Sequence, residues 1–448
     1  MSPFPTRSSS KLQCCPNRTK SSPWRRRRCG VNDRFARQLV TRRRSSMNAS
    51  RRIWAWRALL MLLAIAVPLV GCQAAPTTGG QSQAVPTAEP AKASMKKAKI
   101  GVVLAQTGDM AVFGRTMIYG WQLARDELKA KGDVDIEWLL EDDQGKRDES
   151  IRLFERMINT DKVHAILGPL TSAQMFAAGP VANEKGLIAF GSATTAPKID
   201  EIGPYVFRDA VSGPVLNPRA IKAAKEAWGI KRAAIIACKD DEAMLGEYNA
   251  FKATLQAEGV EIVNEQECFR ADLDYSAQLT KLRDLDFDVL VVAALGENAA
   301  GIARQARELG ITPKHHLVGG LPFNDPRWVE IAAGGMEGMI FMGAYHPSAT
   351  NARNQEFVKA YTARFNEAPT QFAAQTYDAV YLLADAVKRA NLTGDIVQDR
   401  KVIRDALAAT SKFEGALGTL TAKGQNIFPE SPGVVLTVKD GKIMPLGQ

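Results

Sequence analysis

The sequence lacks the short signatures that announce catalysis. It has no G-x-S-x-G elbow, no P-loop, no H-E-x-x-H and no G-x-G-x-x-G, so the readable routes to acyl transfer, phosphate cradling, zinc proteolysis and dinucleotide binding are missing. Histidine is scarce. His164, His315, His316 and His346 are the four; they fit no metal spacing, and adjacent rings at 315 and 316 would point to opposite faces of a strand. No metal and no cofactor is therefore expected, and no catalytic residue is assigned. Acids are nearly missing from one end: residues 1–72 hold 16 of the 58 Lys and Arg but one acid, Asp33. The formal charge of +10 thus belongs to the N-terminus. The rest of the chain has more acids than bases, which gives no electrostatic footprint for nucleic acid.

The long apolar run of a membrane span is missing as well. Residues 58–69 (ALLMLLAIAVPL) stop short of the roughly 20 residues that a hydrocarbon core requires. Their setting gives them another meaning. Met47 offers a second start, Arg51, Arg52 and Arg57 supply a positive flank, and the run ends in Leu69-Val70-Gly71-Cys72. A basic flank, a short apolar stretch and small residues before a cysteine, in that order, read as a signal peptide. The last four residues resemble the lipobox of bacterial lipoproteins, in which the cysteine thiol takes the lipid. Residues 47–72 are thus expected to be a lipoprotein signal, with lipidation at Cys72 and ordinary Sec export. Residues 1–46 are Arg- and Ser-rich without apolar periodicity and read as an untranslated or disordered basic extension. Residues 73–97 are rich in Ala, Pro, Thr, Gly and Gln and read as a flexible tether.

From residue 98 the pattern alternates. Strand-like runs at 98–105, 134–140, 164–169 and 186–191 are separated by helical stretches at 115–131, 150–159 and 172–183. After a break at YVFR (205–208) the alternation restarts, with strands at 232–238, 260–267, 287–295, 315–320 and 337–345 and helices at 214–228, 245–258, 275–285 and 297–309. Long helices are expected over 352–367, 372–390 and 396–409, then a β-hairpin around Asp440-Gly441. Strands alternating with helices imply parallel sheets covered on both faces, and two successive series imply two doubly wound lobes. In such sheets ligands bind beyond the carboxyl ends of the strands. The loops to inspect are 105–114, 168–173, 191–197, 238–246, 295–298 and 320–325.

Those loops, with the segments ILGPLTSAQMFAAGPVANEKGLIAFGSATTAP (166–197), DLDYSAQLTKLRDLDFDVLVVAA (272–294) and QTYDAVYLLADAV (375–387), resemble the leucine/isoleucine/valine-binding family of periplasmic receptors in its lipoprotein form. The resemblance spans 98–448. It implies an α/β type I periplasmic binding protein fold with a ligand cleft, lobe one at about 98–212 and 346–428 and lobe two at about 213–345 and 429–448. It implies a small-molecule amino acid or carboxylate ligand, an ABC transporter permease as partner, a membrane reached through the lipid anchor, no nucleic acid, and a monomer. It also implies a site. Thr171 and Ser172, at a helix start, and Thr195, in the run Ala193-Thr194-Thr195, would receive the ligand carboxylate; the Ala193 carbonyl would accept from the ligand ammonium, and Phe113 would wall the cleft. Simple helix capping is the other role open to Ser172. On lobe two the family's aromatic is replaced by Leu245 or Met244, and its ammonium-pairing acid by Leu321. Asp241, Glu242 and Glu297 are the candidates to supply that charge.

Cys238 and Cys268 end two successive strands; in an oxidising compartment they could pair, or remain as two buried thiols. The acidic run Glu141-Asp142-Asp143 reads as surface charge and capping, and Arg208 and Asp378 as structural. The expected function is extracytoplasmic solute capture by a receptor anchored to the cell membrane, not enzymology. A tethered sensory receptor for amides or aromatic and aliphatic carboxylates is the alternative, with a secreted α/β enzyme behind it.

Overall fold

Strand β1 (Ala98–Leu104) is an almost unbroken apolar run with six of seven residues buried. That composition suits a strand with helices on both faces, where neither side meets water. In the computed structural model, which describes residues 97–447, β1 lies inside an eight-stranded sheet. Its parallel members are β1, β2 (Ile136–Asp142), β3 (Ala165–Leu167), β4 (Ile188–Gly191) and β5 (Val206–Arg208), connected by α1 (Ala111–Lys131), α2 (Arg147–Asn159) and α3 (Ser172–Glu184). On α1, Phe113, Met117, Trp121, Ala124 and Leu128 recur at helical spacing and are buried.

The chain then passes through a four-residue helix, α4 (Gly213–Leu216), and α5 (Pro218–Trp228) into a seven-stranded sheet. Its parallel strands are β6 (Arg232–Cys238), β7 (Glu261–Cys268), β8 (Val289–Ala293), β9 (His316–Gly319) and β10 (Ile340–Gly343). The connecting helices are α6 (Glu242–Ala257), α7 (Ser276–Arg283), α8 (Gly296–Glu308) and the short α9 (Pro326–Ile331). The run RAAIIAC in β6 is apolar on both faces for a visible reason. Ala233, Ile235 and Ala237 pack with Ile221 and Phe251 on one side, while Ala234 and Ile236 belong with Leu279 and Ile302 on the other. Period-two geometry sends alternate side chains into two separate apolar layers.

After β10 the chain forms α10 (Ala352–Phe365), α11 (Gln371–Arg389) and α12 (Ile396–Ala408). Helix α11 packs along α1, where the Tyr377 and Tyr381 hydroxyls donate to Glu127 at 2.8 and 2.5 Å. Three short strands, β11 (Phe413–Gly415), β12 (Gly418–Lys423) and β13 (Asn426–Pro429), complete the first sheet; β14 (Val434–Lys439) and β15 (Lys442–Pro445) complete the second. The final hairpin turns at Asp440 and Gly441 with φ of 51° and 70°. Both central residues are left-handed, as a two-residue hairpin loop of this twist requires.

Three expectations needed correction. YVFR is not a break: Val206–Arg208 is a buried strand, too short for its periodicity to register. The helix expected over 214–228 is two pieces, because Pro218 has no N–H to bond back into the preceding turn. Strands β11–β13 were not anticipated, being three to six residues of mixed polarity at a sheet edge. The two cysteines are joined: Cys238 and Cys268 form a disulfide.

Candidate functional site

The site begins with the turn from β3 into α3. Gly168 sits at φ 122°, and a Cβ there would lie 2.1 Å from the Val103 carbonyl oxygen, so only glycine lets the chain turn this close to β1. Thr171 then caps α3. Its hydroxyl donates to the Gln174 side chain at 2.8 Å and accepts from Gln174 N–H at 3.3 Å. That reciprocal capping box occupies the Thr171 side chain. Ser172 is different. Its oxygen accepts Ala196 N–H at 3.1 Å, which leaves its proton free to donate. The first N–H groups of any helix also lack intrahelical acceptors, so a Ser hydroxyl and a partly positive helix end share one place.

The 191–197 loop supplies the second group. Arg208 pins it from behind, donating to the Ala196 and Thr194 carbonyls at 2.7 and 3.3 Å and to Asn426 at 2.7 Å. Thr194 is wholly buried and turns its hydroxyl back to the Gly191 carbonyl. Thr195 presents itself to the interior of the cleft, and among the described residues its hydroxyl makes no hydrogen bond within the protein.

These groups face a cavity of about 60 Å³ between the lobes. That exceeds the roughly 10–15 Å³ that a cavity needs to admit one water. All six inspected loops reach its wall. Phe113, Thr171, Ser172, Ala193, Thr195 and Leu321 all line it. Phe113 is held by an edge contact to Phe372 with ring centres 5.0 Å apart. Thr194 lies outside the wall, for the reason given. Leu245 is also outside it: the side chain is 39% exposed, while its neighbours Ala243 and Met244 line the cavity. Along α6 successive side chains turn by about 100°, so Leu245, about 200° round from Ala243, points away from the wall that Ala243 and Met244 line. Cys72 lies outside the described residues.

Sequence reading missed the contribution of α11. Gln371, Phe372 and Gln375 all stand on the wall. Gln371 is fully engaged across the cleft: its amide donates to the Leu321 carbonyl at 3.0 Å, and its oxygen accepts from Ala344 N–H at 2.9 Å and Asn324 at 3.2 Å. Gln375 is buried and makes no hydrogen bond within the protein among the described residues. Their signal was present: Gln371, Gln375 and Asp378 recur at i, i+4 and i+7 on the buried face of a helix, where apolar residues belong.

Asp241 is the one charged side chain on the wall among the described residues. It caps α6, with one oxygen accepting Ala243 and Met244 N–H at 3.0 and 3.1 Å. Burial raises its carboxyl above the ordinary range, against the opposing pull of Met244 N–H and the Arg270 guanidinium. Of the other two acids weighed for this charge, Glu242 bridges to Arg147 at 2.5 Å and Glu297 lines a separate pocket. Asp142 and Asp143 accept from Gln106, Thr107, Gly145 and Ser150, which is capping chemistry. No cluster of three metal-ligating side chains occurs among the described residues.

Two α/β lobes meet at a cleft beyond the strand ends, and its wall carries the hydroxyls of Thr171, Ser172 and Thr195 and one acid, Asp241. The model of a periplasmic binding protein family matches residues 97–442. The chain belongs to that family. Leu/Ile/Val-binding protein BraC3 of Rhizobium johnstonii is 25% identical over 353 residues, covering 76% of this chain and 93% of that protein. LivJ, the branched-chain amino acid transporter substrate-binding protein of Streptococcus pneumoniae, solved with isoleucine, is 28% identical with a TM-score of 0.71, covering 78% of this chain and 98% of that one. A solute-binding protein of an ABC transporter from R. palustris, solved with benzoate, shares the fold at 24% identity and a TM-score of 0.70, over 79% of this chain and 96% of that one. The architecture is that of the type I periplasmic binding proteins, with two lobes. The family is one of substrate-binding proteins, not of enzymes.

Proposed function

We propose that this protein is the extracytoplasmic receptor of an ABC transporter, lipid-anchored at Cys72, and that it captures an amino acid of the branched-chain type or a related small carboxylate. One observation carries the solute class. The cavity wall carries, from lobe one, the Thr195 hydroxyl and Ser172 at a helix N-terminus and, from lobe two, a single acid, Asp241, with the apolar Met110, Leu170, Met244 and Leu295 on the same wall. A carboxylate suits the first end without a buried cation. An ammonium suits Asp241, whose second oxygen accepts no protein hydrogen bond among the described residues. A solute with both charges would draw the lobes together. The isoleucine complex of the S. pneumoniae relative supports this assignment.

A second reading is favoured by the aromatic pair Phe113–Phe372 and by the benzoate complex of the R. palustris protein: a flat carboxylic acid with no ammonium. One substitution separates the two. Asp241→Asn keeps the cap acceptor and removes the charge. Titration calorimetry with leucine, isoleucine, valine and benzoate is expected to show amino-acid affinity falling about tenfold or more, in line with the loss of one charged hydrogen bond, and benzoate affinity unchanged or improved. Amino-acid binding that is indifferent to Asp241→Asn would discard the ammonium role. The anchor has its own check: Cys72→Ala should move the protein from the membrane fraction to the soluble one.

A further inference from the structure

Three charged groups on lobe two reach toward lobe one, and all three lie just beyond one covalent bond. Asp241 stands on the cavity wall. Glu242 meets Arg147 of lobe one at 2.5 Å. Arg270 meets Asp109 of lobe one at 2.7 Å. Cys238 and Cys268 are paired residues at the last positions of β6 and β7, and a disulfide joins them. Asp241 and Glu242 follow Cys238 by three and four residues, and Arg270 follows Cys268 by two. The same lip is stitched further by Arg270 N–H, which donates to both Asp240 oxygens at 3.0 Å, and by Asn298, which donates to the Arg270 carbonyl at 3.1 Å.

The sheet itself does not need this bond for register. Strands β6 and β7 pair at six further positions, and both cysteines are buried in the apolar core. The bond matters at the ends. Strand β7 is the sheet edge, and the last residues of an edge strand are where local opening starts. Separation there would release the 239–242 and 269–270 loops from each other, and with them both rim ion pairs. Each pair is exposed at the rim and weak by itself; two held in one rigid frame close together.

We propose that the Cys238–Cys268 disulfide is a positioning element for solute capture: it fixes the two lobe-two loops as one lip, so that Asp241 stays on the cavity wall while Glu242 and Arg270 close onto Arg147 and Asp109. The affinity arm of its test rests on the amino-acid reading given above; the exchange arm does not. In the full chain, Cys238→Ala with Cys268→Ala is expected to weaken L-leucine binding about three- to tenfold, the range of two rim ion pairs lost together, and to do so through faster release. Glu242→Gln with Arg270→Gln, disulfide intact, should give a loss of the same size. All four substitutions combined should lose little more than the cysteine pair alone, because loss of the disulfide already releases the ion pairs together with Asp241. Fully additive losses would overturn the proposal.

Hydrogen exchange on the solute-free chain needs no ligand. The amides of Ala243, Met244 and Arg270, bonded to Asp241 and Asp240, should exchange faster in the cysteine double variant, with β8 and β1 unchanged. Unchanged lip amides would overturn the proposal. So would loss of protection across all of lobe two, which would make the disulfide a staple of the fold. If the parent chain does not bind leucine, the solute reading fails, and the exchange arm still decides the role of the disulfide.

Discussion

Ser172→Ala is expected to weaken capture of the solute carboxylate by about ten- to a hundredfold, because hydrogen bonds to charged groups contribute about 1.5–3 kcal/mol. The size of the effect follows from how the hydroxyl is committed. Ser172 accepts from Ala196 N–H and has no protein acceptor for its proton among the described residues, so under the proposed reading that proton is available to a bound carboxylate. Thr195→Val should behave in the same sense, since the Thr195 hydroxyl has no protein partner among the described residues. Thr171 is the control. Its hydroxyl is committed to the capping box with Gln174, so Thr171→Ala should cost about 1 kcal/mol of stability and little affinity. Calorimetric titration of the three variants with leucine and with benzoate, beside thermal melts, reads both quantities. Ser172→Ala binding as tightly as the parent would move the carboxylate to another donor; Thr195 and Gln375 are wall side chains without a protein partner among the described residues.

Much of the fold was legible because its signals are local. Apolar runs alternate with amphipathic helices, and Asp440-Gly441 carries the turn chemistry of a two-residue hairpin. What escaped had no local period: β5 is three residues long, and β11–β13 join the first sheet only because α10–α12 return the chain to it. The cavity shows the same division. The loops that hold Phe113, Ser172 and Thr195 could be expected at the strand ends, and the family resemblance pointed to those residues within them. Choosing between Met244 and Leu245 required the phase of α6, which adjacent apolar residues do not reveal. The part played by α11 depended on its packing against α1, more than two hundred residues earlier in the chain. Its buried glutamines were the remaining clue, polar residues where the helix period calls for apolar ones.

Glu247→Gln is expected to stabilise the protein at pH 8 by on the order of a few kcal/mol while leaving stability near pH 4 unchanged. Glu247 is fully buried on α6, and its Oε2 would lie 1.9 Å from a Cβ placed on Gly320, directly behind the Leu321 segment of the cavity wall. Burial pushes its carboxyl up to about 8. The Asn217 amide and Leu321 N–H pull it down, but neither completes a hydrogen bond to it by distance and angle, and Asp241 pushes it up. The folded state therefore favours the protonated acid. That contribution is fully present below the ordinary value of 4.5 and is lost as pH rises through the folded value, at about 1.4 kcal/mol per pH unit. Asp378, pushed up to about 7 by burial, and Asp209, raised well above its ordinary range, slope the same way. The variant should thus flatten the decline without abolishing it. Urea unfolding at pH 4, 6 and 8 measures the slope directly; parallel slopes for parent and variant would mean that Glu247 is ionised and paired in the folded state. The same proton should govern capture. An ionised Glu247 behind Gly320 would draw on Leu321 N–H and repel Asp241, two groups of the cavity wall, so solute affinity in the parent should fall as pH passes 8, and in Glu247→Gln it should hold.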